Sequence, residues 1–153
     1  MDTIDAGLDG SNGADEVMAA ARRIFGVEDR YGGGWLDHTR TRGRTSVFVC
    51  AVQPTQDEIG SLDRIAEQAG LPLTVVPVEF SHADLLGLHE RVSGRSLPAS
   101  ELFVSFGMDS VHNALCLRLR AFDEEAITYF RARVPAGALR IEIEPRAGDY
   151  FAA

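Results

Sequence analysis

Two aspartates, Asp37 and Asp109, each follow an aliphatic residue at the end of a short apolar run, as Leu36-Asp37 and Met108-Asp109. Carboxylates that approach one another can share a proton, so that one serves as an acid and the other as a base. A histidine is close to each in the chain, His38 and His112, and either would supply the base of a hydrolase. Asp is also a preferred residue where a strand enters a hairpin, and the two positions favour that turn role. His82 and His89 are seven residues apart and share a helix face, but a zinc site needs three or four ligands. Gly32-Gly33-Gly34 opens a strand, whereas phosphate-cradling glycine loops follow a strand and open a helix. The triplet is therefore read as a tight turn with close packing beside Trp35. No Gly-x-Ser-x-Gly occurs, and Ser105 and Ser110 have no base-and-acid context. Cys50 and Cys116 lie within the apolar runs VFVCAV and ALCLRL, so both are expected as buried thiols and not as a disulfide or a metal pair. No coherent catalytic set emerges, and neither a metal nor a cofactor is expected.

These residues have to be positioned by elements that the pattern of apolar residues lays out. Val17, Ala20, Ala21, Ile24 and Phe25 recur at helical spacing and Gly26 closes the run. A short strand follows from residue 34, polar TRTRGR reads as a hairpin loop, and TSVFVCAV (45–52) is a strand. Thr55 and Glu58 form a capping box for a helix carrying Ile59, Leu62, Ile65 and Ala66. LTVVPVEF (73–80) is a strand that Pro77 confines to an edge or a bulge. A linking helix at 82–93 leads to a second series, with strands at 102–109, 114–120 and 139–144 and a helix capped by Asp123 between the last two. The predicted class is α+β: internally duplicated ββαβ units, giving two small mixed three-stranded sheets with helices on one face. The predicted domains are a flexible acidic leader at 1–16, a first lobe with the linking helix at 17–96, and a second lobe at 97–153.

The chain has 153 residues, and its 23 acids against 15 bases, every base an Arg, give a net charge of −8. That sum argues against gripping nucleic-acid backbone. Residues 1–16 hold five of the acids and no Arg, and they lack both the basic start and the apolar run of a signal peptide. No apolar stretch approaches membrane-span length, so a cytoplasmic location is expected. In the first lobe VFVCAV and LTVV are apolar on both faces, which requires that sheet to be covered twice. In the second, Leu115, Leu117 and Leu119 alternate with Cys116, Arg118 and Arg120, and Leu139, Ile141 and Ile143 alternate with Arg140, Glu142 and Glu144. One face of that sheet is then charged, with Arg118 or Arg120 placed to pair with Glu142 or Glu144. This face is the candidate for binding a protein partner. Arg40, Arg42 and Arg44 would clamp phosphate or an acidic partner, or simply keep a hairpin tip soluble.

The stretch Tyr31-Gly32-Gly33-Gly34-Trp35-Leu36-Asp37, followed by TSVFVCAV, resembles the opening of pro-domain-like modules. Such modules precede bacterial chymotrypsin-type serine proteases of the alpha-lytic and streptogrisin kind. Val78-Glu79-Phe80-Ser81-His82-Ala83-Asp84-Leu85 is similar to their step into the linking helix, and 106–117, with Asp109 and Asn113, resembles their second hairpin. The resemblance implies that Gly33, Trp35, Asp37, Asp109 and Asn113 are structural. It also implies a non-enzymatic module that binds a protein, in the protease case by adding the partner's hairpin to the second-lobe sheet.

Overall fold

β-Branched and aromatic residues favour the pleated, half-buried surface of a sheet, and the chain builds two sheets from such runs. The computed structural model describes residues 5–41, 44–93 and 97–144, and for 5–12, 39–41 and 44 it describes the backbone alone. Two units result, Met1–Ala83 and Asp84–Ala153.

In the first unit, α1 (Asp5–Phe25) gives way to a π-helical turn at Gly26–Arg30, then to β1 (Tyr31–Thr41) and β2 (Arg44–Val52). Helix α2 (Gln56–Gln68) crosses over to β3 (Leu73–Val78), which joins β2 in parallel, while β1 and β2 are antiparallel. The order β1-β2-β3 leaves β3 at an edge, the place its Pro77 requires. The Thr55–Glu58 capping box forms as predicted, with Glu58 Oε1 accepting from the Thr55 N–H at 3.0 Å. Val17, Ala21 and Phe25 of α1 and Leu62 and Ala66 of α2 bury Val47, Val49 and Ala51 of β2. Phe48 and Cys50, on the opposite face of β2, are buried too, so the strand is covered twice.

The first unit departs from the sequence pattern in α1 and in its hairpin. Residues 5–16, predicted as part of a flexible leader, belong to α1, and Ala14 is buried in the core. A Cβ on Gly13 would lie 3.1 Å from that of Ala69, so small residues bring α1 close to α2. That tertiary contact outweighs the poor helix propensity of a Gly-, Asn- and Asp-rich stretch. Residues 1–4 lie outside the described residues. The polar TRTRGR stretch is not a loop as a whole. β1 runs on to Thr41 and pairs it with Arg44, leaving Asp37 inside the ladder opposite Ser46 and not at its end. Arg42 lies outside the described residues, and Arg40 and Arg44 are described only as strand positions.

The second unit repeats the series. Helix α3 (His82–Ser93) buries Leu85, Leu88 and Val92. The division after Ala83 places nearly all of it with the second sheet, where the sequence pattern had joined it to the first lobe. β4 (Phe103–Asp109) and β5 (Ala114–Leu119) form an antiparallel hairpin. Helix α4 (Glu124–Arg133), capped by Asp123 Oδ2 on the Ala126 N–H at 2.8 Å, crosses to β6 (Leu139–Ile143), parallel to β5. Leu115, Leu117 and Leu119 of β5 and Ile127 and Phe130 of α4 are all buried, and the Phe106 and Phe130 rings meet edge to face at 4.9 Å. The class is therefore α+β, two mixed three-stranded sheets of one repeated topology. Among the described residues no helix is long and apolar enough to cross a membrane.

Candidate interaction face of the second unit

Strand alternation sets the two faces of the β4-β5-β6 sheet. The leucines of β5 turn to the helix side, which leaves Ala114, Cys116 and Arg118 for the other face. The parallel register places Arg118 beside Glu142 and Cys116 beside Arg140. Arg118 Nε donates to Glu142 Oε2 at 3.2 Å and lies 3.9 Å from Glu144 Oε1, so the predicted cross-strand pair is present. Arg120 is half-buried just past β5; its N–H donates to the Leu102 carbonyl, and among the described residues it makes no ion pair.

Arg140 does something the alternation did not announce. Its Nη1 donates to Asp109 Oδ2 at 2.9 Å, while its Nη2 lies 3.5 Å from Glu142 Oε1. The same guanidinium touches His112 Nδ1, which is 2.7 Å from Asp109 Oδ2. Asp109 Oδ1 also accepts from the His112 N–H three residues on, a side-chain bond to the turn that fulfils the predicted hairpin role. Asn113 completes the turn at φ +51°, a left-handed conformation that Asn tolerates. Burial works to raise the Asp109 carboxyl, but the hydrogen bonds from His112 and Arg140 outweigh it and hold the group below the usual range. Burial pushes the Cys116 thiol up, with Glu142 adding to the effect, so it is a poor nucleophile.

The other residues singled out in the sequence are placed as follows. Asp37 and His38 belong to the first hairpin, where His38 Nδ1 lies 3.0 Å from Thr45 Oγ1. His82 sits 6.1 Å from the Tyr31 ring, and His89 stacks on Phe106 while its Nε2 donates to the Phe106 carbonyl at 2.9 Å. The glycine triplet lies inside the β1 ladder and not in a tight turn, since β1 starts at Tyr31, but its close packing is as expected: a Cβ on Gly34 would come 2.6 Å from the Phe48 carbonyl, and Trp35 stacks on Phe48 at 4.9 Å. Both cysteines are buried and neither is in a disulfide, and burial raises the Cys50 thiol to about 11. Among the described residues no three His, Cys, Asp or Glu gather to hold a metal ion.

The outer strands of the sheet differ. On β4, the Phe106 carbonyl already has His89 as its donor. On β6, the Glu144 N–H donates inward to the Leu119 carbonyl, so by alternation the main-chain groups of Leu139, Ile141 and Ile143 turn away from β5, the Leu139 N–H donating to the Ala136 carbonyl. Beside that outer side lies a cavity of ≈ 470 Å³ lined by Arg131, Ala136, Leu139 and Ile141. Sequence reasoning missed Arg131 and Ala136, because a hollow between a helix end and a strand edge leaves no periodic signal. Comparison with family models and with curated proteins finds no match for the chain.

Proposed function

We propose that the chain is a non-enzymatic protein-interaction or folding-helper module that binds a partner by strand addition to its second sheet. The observation that carries this reading is the outer side of β6, where among the described residues the main-chain groups of Ile141 and Ile143 and the Leu139 carbonyl turn away from the sheet, the Leu139 N–H being taken by Ala136. An extended segment laid there gains main-chain hydrogen bonds, and side-chain pockets give it specificity. Arg118, Arg140, Glu142 and Glu144 form a charged face beside the same strand, suited to steering and orienting a partner more than to stabilising the fold. The resemblance to protease pro-domains makes a chymotrypsin-type serine protease the first partner to try, and the net charge of −8 speaks for a protein and against nucleic acid. We place its action in the cytoplasm.

Hydrogen exchange of the full chain, with and without a chymotrypsin-type serine protease, tests the reading. Slowed exchange at the Ile141 and Ile143 amides on mixing is the expected result. Unchanged exchange there, with protection on the first sheet instead, would overturn it. A second reading, a hydrolase using Asp37 and Asp109 with a histidine, draws on the contact between Asp109 and His112. Arg140 on the same carboxylate favours a permanently ionised Asp109, which suits an ion pair better than a shared proton.

A further inference from the structure

The cavity beside β6 and the outer side of that strand are continuous, because the side chains of Leu139 and Ile141 line the one while the Leu139 carbonyl and the Ile141 main chain lie on the other. Their side chains point to the helix side of the sheet and line the cavity with Ala136 and Arg131, while their main-chain groups face outward along the edge. A strand added at that edge would alternate in the same way, sending every second side chain over the cavity. Its lining is apolar apart from the one cation, and Arg131 has no ion pair among the described residues. Burying an aliphatic side chain against Leu139 and Ile141 removes apolar surface from water on both partners. Arg131 lines the same cavity and brings to it the one charge there.

Resting on the strand-addition reading above, we infer that the cavity is the side-chain subsite that selects the partner. The segment it takes is extended and carries a branched aliphatic residue over Leu139 and Ile141. Two residues away, on the same face, it carries an acid that pairs with Arg131. The preferred partner therefore presents an aliphatic residue and a carboxylate separated by one residue, in a strand with a free edge of its own. The same geometry rejects a segment with a basic residue at the second position, since Arg131 would then meet a like charge.

The test uses the full chain and short fluorescein-labelled peptides of high strand propensity, with Val and Glu separated by one residue in either order. Binding should weaken about ten-fold when Ser replaces the Val, the scale expected for losing one buried aliphatic side chain. Ala136→Phe, a change at an exposed position that fills the hollow, should erase the difference between the Val and Ser peptides. Arg131→Glu should weaken the Glu peptide and restore binding when Lys takes its place, a rescue that damage to the fold cannot imitate. Peptides that slow exchange at Ile141 and Ile143 but bind equally with Val or Ser, and show no charge-swap rescue, overturn the subsite and leave strand addition standing. If no peptide slows exchange at those amides, strand addition by such segments is refuted and the subsite with it.

Discussion

Single residues decide where the chain tolerates charge. Arg30 reaches Glu58 through both terminal guanidinium nitrogens, one bond being 2.8 Å from Nη1 to Oε1, while Glu58 also caps α2 through the Thr55 N–H. The Arg30 hydrogen bond, with help from Thr55, lowers the Glu58 carboxyl to about 2. A carboxyl held lower in the folded chain than in the unfolded one stabilises the fold above its unfolded pKa, and that gain fades as pH falls through the folded value. Glu58→Gln should therefore lower the urea midpoint at pH 7. The gap between variant and parent should close as the pH is taken from the usual glutamate range, near 4.5, down to about 2. Denaturation curves at several pH values check this, and a gap that stays constant in acid would remove the pair from the stability of the first unit. The same residue scale explains Asp109, whose partners came from a turn and from β6, so that its spacing in the chain told only the turn half of its role.

At the scale of elements, caps and close approaches fix the boundaries more firmly than hydrophobic period does. Asp123 ends the loop after β5 and starts α4, and Asp123→Ala should cost about 1 kcal/mol by loss of the N-cap bond, read as a shift in thermal or urea midpoint. That cap, the Thr55–Glu58 box and the alternating leucines of β5 were legible because each is a local rule written in adjacent residues. The start of α1 was not, since Gly13 and Ala14 are chosen for what lies across from them on α2 and not for helix propensity. The length of β1 was hidden for another reason. A stretch rich in Thr, Arg and Gly reads as a loop from its composition, and only the pairing of Thr41 with Arg44 shows that its arms belong to the ladder. The cavity beside β6 depends on where the end of α4 meets an edge strand, a three-dimensional relation with no counterpart in spacing.

On the scale of the whole chain, the repeated topology gives each unit its own buried centre, built around Val47, Val49 and Leu62 in one and Leu115, Leu117 and Phe130 in the other. Phe130 is fully enclosed, and Phe130→Ala should cost about 3–5 kcal/mol in the unit that contains it. The stacked pair of Trp35 and Phe48 makes that loss easy to assign, because Trp35 is the one indole of the chain and it belongs to the first sheet. Indole emission then reports on the first unit alone, whereas far-ultraviolet dichroism sums over both. In Phe130→Ala the dichroism midpoint should fall further than the emission midpoint, and coincident shifts would mean that the two centres melt as one. The stacked ring is thus a built-in optical reporter, lit in one half of the duplication and dark in the other.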